Sequence, residues 1–189
     1  MYRAATLYFL RNDTDINDPA AVEEALNNIS IDLRVIDGQT FTFLNGENVE
    51  TEIRDMPVSN LVSQVSAIIA VRTTMVAQQR KIGEKKGVVM DGRDIGTVVF
   101  PEAELKIFLT SDPNIRAIRR YKELQTKGII AALHDVEANL TQRDHLDSTR
   151  TNSPLAKASD AVLIDNTNIS REEQLAMVLA LMDCRIKGA

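Results

Sequence analysis

"GVVMDGRDIGTVVF", residues 87–100, runs from a short apolar stretch into a polar turn that holds Asp91, Gly92, Arg93, Asp94 and Gly96. The apolar part has the composition of a buried strand, and the glycines and carboxylates mark its end. Two further apolar runs follow, "LKIFLT" at 105–110 and "AVLIDN" at 161–166, separated by helical patterns. Strands alternating with helices predict an α/β fold on a parallel sheet with crossover helices. Ligands in open sheets of that kind bind beyond the carboxyl ends of the strands, which makes Arg93 and Asp94 candidates. The same residues would equally suit a polar connection between strand and loop.

Upstream, residues 1–11 read as an apolar helix with Ala4, Ala5, Leu7, Tyr8 and Leu10, and Pro19 suits the first turn of a second helix. Short β-branched and aromatic runs then fill about 31–54, with Asp37-Gly38 and Asn45-Gly46 as hairpin turns, so a small antiparallel insert is expected. Pro57 opens a long helical stretch up to Gly83, marked by Leu61, Val65, Ile68, Ile69, Val71, Met75 and Val76. A helical, arginine-rich region is expected over 114–146. The last helix should begin at Ser170, because Glu173 stands three residues on in a capping-box arrangement.

The 189 residues suit one domain and carry 22 Lys+Arg against 27 Asp+Glu, a net charge of −5. That balance argues against a broad nucleic-acid-binding face, which would need basic surface. Cys184 cannot pair within the chain, and in its apolar stretch a free thiol is expected to behave as a small hydrophobe in a reducing compartment. With no long apolar run and no secretory pattern, a soluble, cytoplasmic monomer with no membrane partner is expected. His134 and His145 have no companions at metal-ligand spacing, so no metal site is assigned.

Arginine is locally concentrated. In "RDHLDSTR", Arg143, Asp147 and Arg150 stand at i, i+4 and i+7, one stripe of a helix with two cations flanking an anion. In "RAIRR", Arg116, Arg119 and Arg120 share a face with no carboxylate between them. Either cluster alone suits a solvated helix face. Together with Arg93 they suggest a polyphosphate site, since guanidinium forks match phosphate oxygens and neutralise transition-state charge. The loop pattern G-x-x-x-x-G-K-[ST] that would cradle the phosphates is absent.

The order "MYRAATL", "SQVS" with a downstream "VR", "DGRDIGTVVFPEA", "KIFL", "R..RR", "RD..D..R..SPL" and "A..A.LID.T" resembles the bacterial cytidylate kinases along essentially the whole chain. The resemblance implies a P-loop nucleoside-monophosphate kinase core with a parallel sheet, a monophosphate-binding β insert at about 31–54 and a helical lid within 116–140. It implies that Arg3 and Arg93 bind the phosphate of CMP and that Asp94 reads the cytosine. Arg72 would contact the base, and Ser63, Arg143 and Asp147 the pentose. Arg150, Arg116, Arg119 and Arg120 would face the transferring phosphoryl group. ATP would be the co-substrate, with Mg²⁺, and CMP and dCMP the acceptors.

Ser63 and Arg72 lie nine residues apart, on opposite sides of an ideal helix. Both reach one ligand only if the helix breaks, yet 67–71 contains neither Pro nor Gly. The family pattern also begins with a strand, a phosphate loop and a helix ahead of the "MYR" segment, so an N-terminally truncated kinase core is expected. The alternative is a remnant that binds CMP without turnover. A purely structural protein has little in its favour, because arginines on three segments need a shared anion.

Overall fold

The apolar front of the chain forms helix α1, Tyr2–Arg11, with Ala4, Ala5, Leu7 and Phe9 buried, in a computed structural model that describes residues 1–126 and 128–188. Helix α2, Pro19–Asn27, is capped by Asp18, whose side chain accepts from the Ala20 N–H at 2.9 Å, while Pro19 takes the first turn where no N–H is needed. Strands β1, Ile31–Ile36, β2, Gln39–Leu44, and β3, Glu47–Asn48, pair antiparallel in that order. Both turns between them are built as expected. Asp37 and Gly38 have φ of 50° and 75°, and Asn45 and Gly46 have 49° and 86°. Two successive left-handed residues match the twist of the strands they join.

The long helix expected from Pro57 to Gly83 is two helices. α3, Met56–Ala67, and α4, Ile69–Gly83, meet at 94° across Ile68, whose backbone is extended at φ −67° and ψ 124°. The break has a chemical counterpart in Arg72. This buried guanidinium donates from Nη1 to the Ser66 carbonyl at 3.1 Å, one of the carbonyls a helix end leaves without an intrahelical partner. The bend also keeps Val58 and Val65 of α3 and Val71 and Met75 of α4 in one core with Phe9, Val22, Leu44 and Val49. Ile69, counted among the apolar positions of a single helix, is 64% exposed.

These elements make up one compact unit, Met1–Val88, and Val89–Ala189 make up another. The run at 87–91, where the first unit ends and the second begins, is not a strand, and Val88 and Val89 are exposed. A strand exists only as part of a ladder, and no described strand pairs with this segment. It leads into a π-helical turn, Ile95–Val99, where the Asp94 carbonyl accepts from the N–H groups of Thr97, Val98 and Val99.

Strand β4, Ile107–Thr110, then pairs in parallel with β5, Val162–Asp165, so among the described residues the parallel sheet has two strands rather than three. The crossover between them consists of α5, Pro113–Thr126, and α6, Leu133–Thr149, which pack together. The helical region expected over 114–146 is thus made of two helices, with Gly128 at φ 72° in the connection.

Helix α7, Arg171–Lys187, begins with the expected capping box: Glu173 N–H donates to Ser170 Oγ at 3.1 Å, and Ser170 N–H to the Glu173 carboxylate at 2.7 Å. No described residue of α7 is buried, and Cys184 is exposed. Its apolar residues are distributed around the helix instead of along one stripe, so composition alone misled. Among the described residues no single helix is long and apolar enough to cross a membrane.

Candidate functional site

Within the second unit the site is built around Asp147, in the last turn of α6 and 4% exposed. Arg93 Nε donates to its Oδ2 at 2.9 Å, and Arg150 Nη1 lies 3.6 Å from Oδ1. Arg150 is not on the helical stripe that its spacing suggested. It is the C-cap residue, extended at φ −61° and ψ 141°, and its side chain folds back over the helix end. There Nε donates to the Ser153 carbonyl at 2.7 Å, and the Leu155 N–H donates to the Asp147 carbonyl at 2.7 Å. The segment after α6 is thereby stitched to the carboxylate-bearing turn.

Arg143 stands one turn before Asp147. Burial and the neighbouring Arg93 guanidinium lower its proton affinity below that of an ordinary arginine, against the opposing pull of Asp147. Its Nε is buried without a hydrogen-bond partner among the described residues. One buried carboxylate thus faces three guanidiniums, of Arg93, Arg143 and Arg150, and the surplus of positive charge favours an anionic ligand.

The arginines of α5 do not act as one face. Arg116 pairs with Asp144 of α6 at 2.6 Å and Arg120 with Glu123 at 2.8 Å, while Arg119 reaches past the helix to the segment after β5. Carboxylates outside the "RAIRR" segment therefore relieve the like-charge repulsion that the sequence implied. A cleft of ≈570 Å³ opens beside these residues, lined among others by Thr110, Arg116, Arg119, Arg120, Asp144 and Asn166. Thr110 closes β4 and Asn166 follows β5, so the cleft lies at the carboxyl ends of the strands, where an α/β sheet places ligands. Asp94, 4% exposed, sits on the π-turn of the same unit.

In the first unit, Arg3 Nη1 donates to the Ile53 carbonyl at 2.9 Å and to Ser59 Oγ at 3.0 Å. Ser63 and Arg72 are both buried and both meet Ser66, whose hydroxyl donates to the Ser63 carbonyl at 3.0 Å and whose carbonyl accepts from Arg72. The bend at Ile68 thus turns the Arg72 guanidinium back onto the last turn of α3, at Ser66, three residues from Ser63. The Arg72 guanidinium also lies 5.4 Å from the centre of the Tyr2 ring.

Sequence reasoning passed over Asp112, Asp144, Asn166 and Thr167. Asp112 had a readable signal: it precedes Pro113 and caps α5 through its Oδ1, which accepts from the N–H groups of Asn114 and Ile115. Thr167 closes the "A..A.LID.T" motif but was given no role, and Asn166 had no signal, since its partner Arg119 lies 47 positions away.

The family model described as cytidylate kinase matches residues 1–183. The chain belongs to the cytidylate kinase family. It is by family a kinase, a transferase acting on nucleotides, and its α/β architecture with a small parallel sheet is consistent with a nucleoside-monophosphate kinase fold. It is 51% identical to a cytidylate kinase of Bacteroides thetaiotaomicron, over 92% of this chain and 78% of that protein. Identity is 48% to one of Bacteroides fragilis, over 100% and 84%, and 52% to one of Cytophaga hutchinsonii, over 95% and 77%. The family match begins at residue 1, which lends no support to the expected N-terminal truncation, and the remnant without turnover gains no support from these relatives.

Proposed function

We propose that the chain transfers the γ-phosphoryl group of ATP to CMP and dCMP, giving CDP and dCDP, in pyrimidine nucleotide metabolism. The observation that carries this reading is the surplus of guanidinium charge around buried Asp147, beside a cleft at the strand ends. An acceptor phosphate is already anionic, so the transfer needs positioning and charge stabilisation rather than a strong base. Mg²⁺ enters with ATP as part of the substrate.

In this reading Arg3 and Arg93 hold the CMP phosphate, and Asp94 and Arg72 read the base. Ser63, Arg143 and Asp147 hold the pentose. Arg116, Arg120 and Arg150 face the transferring group, with the β insert at 31–54 as the monophosphate-binding element and the lid within 116–140. Arg116 and Arg120 suit that role because their present partners, Asp144 and Glu123, are 34% and 42% exposed and can be exchanged for a phosphate. The enzyme would act as a cytoplasmic monomer.

CMP-dependent ADP formation, measured with MgATP and compared across CMP, dCMP, AMP and GMP, tests the assignment. The expected result is a kcat/KM for CMP and dCMP far above that for AMP and GMP. Comparable values for AMP would overturn it.

A further inference from the structure

We propose that Arg119 is a positioning residue, which clamps α5 to the segment after β5 and so aims Arg116 and Arg120 into the cleft. Its sequence neighbours made it a candidate for facing the phosphoryl group, but both terminal nitrogens of its guanidinium are already engaged. Nη1 donates to Asn166 Oδ1 at 2.9 Å and to Ser111 Oγ at 3.5 Å, while Nη2 donates to the Asn166 and Thr167 carbonyls at 2.8 and 3.2 Å. All four acceptors are neutral oxygens on the ends of β4 and β5. A phosphate could recruit Arg119 only by breaking that set, whereas Arg116 and Arg120 need only exchange one carboxylate each.

The far side of the clamp is rigid. Asn166 Nδ2 donates to Gln174 Oε1 of α7 at 2.8 Å, and the Asn166 N–H extends the parallel ladder to the Thr110 carbonyl at 2.9 Å. Thr167 Oγ1 accepts from the Asp112 N–H at 2.8 Å and donates to Asp165 Oδ1 at 2.5 Å. Asp112 in turn caps α5. The start of α5 is therefore tied twice to the segment after β5, once through its cap and once through Arg119. Arg116 and Arg120 lie four positions apart, about one turn, on the helix so tied and inherit its orientation. Loss of Arg119 leaves only the cap, and α5 is then free to swing on it.

The inference rests on the reading of the cleft as the site of the phosphate donor. Arg119→Ala, Arg119→Lys, Asn166→Ala and the double variant R119A/N166A are compared for kcat, for KM towards MgATP and CMP, and for thermal melting. Arg119→Ala and Asn166→Ala should each raise the KM for MgATP about tenfold, with kcat and the KM for CMP changed less than about threefold, and the double variant should be no worse than either single one. Arg119→Lys should behave like Arg119→Ala, because an ammonium offers no planar fork to two oxygens. A fall in kcat of about a hundredfold or more for Arg119→Ala, rescue by lysine, or additive effects of the two substitutions would overturn the clamp. If the unmodified chain forms no ADP with CMP, the proposed function fails, and the melting data alone decide the clamp: non-additive shifts uphold it and additive shifts refute it.

Discussion

Replacing Asp147 by Asn removes the one buried negative charge among Arg93, Arg143 and Arg150 while keeping the side-chain volume. The Asp147 side chain is 6% exposed and that of Arg150 7%, so solvent screens this pair little. Arg93 is 46% exposed, and its share of the loss is discounted accordingly. Removing one partner of a buried pair strands the other charge and costs about 3–5 kcal/mol; with the Arg93 contribution reduced, about 3 kcal/mol is expected. For urea slopes of about 1–3 kcal/mol per molar, that lowers the unfolding midpoint by about 1–3 M. Asp183→Asn, which removes the exposed partner of Lys187 at 3.4 Å, is the control and should leave the midpoint nearly unchanged. Because the variant has a larger cationic surplus, inorganic phosphate should restore more stability to it than it adds to the unmodified chain. A loss below about 1 kcal/mol would show that the cluster is an ordinary solvated helix face, and the argument from buried charge would fall.

Asp147→Ala should also change kcat/KM for CMP and dCMP unequally, whereas Arg150→Ala should depress kcat for both, as steady-state assays with the two acceptors will show. Arg72→Ala should destabilise the chain by about 2 kcal/mol in urea melts, because a buried charged donor to the Ser66 carbonyl is lost; an unchanged midpoint would mean that the bend at Ile68 does not depend on it. Gly46→Ala should cost about 1–2 kcal/mol, since its φ of 86° strains any L side chain even though nothing crowds the added methyl. Acid should weaken α7. Hydrogen bonds with Ser170 hold the Glu173 carboxyl below its ordinary 4.5, so their contribution is present above about pH 4.5 and is lost as pH falls through the depressed value. Glu173→Gln, which has no titrating carboxyl, should abolish that part of the pH dependence, and circular dichroism between about pH 6 and pH 2 will check it.

The sequence by itself determined whatever depends on neighbours in the chain. The turns at Asp37-Gly38 and Asn45-Gly46 were readable because only residues tolerant of positive φ fit them, and the box at Ser170 and Glu173 because both partners lie within one helical turn. The family was readable for the same reason, as a series of short motifs in order. Tertiary structure decided everything that depends on distant partners. The apolar run at 87–91 has strand composition but no ladder, and the apolar α7 is exposed, because burial requires a partner surface that local pattern does not specify. No Pro or Gly marks the break at Ile68. It is sustained by packing on both sides and by Arg72 reaching back to Ser66, six positions away, which propensity does not register. The candidate site follows the same division: spacing put Arg143, Asp147 and Arg150 near one another, but only the fold brought Arg93 across 54 positions to Asp147 and gave Arg119 a partner after β5 while Arg116 and Arg120 pair with carboxylates. Charge pairs of that kind are chosen by proximity in space, and chain order carries no record of it.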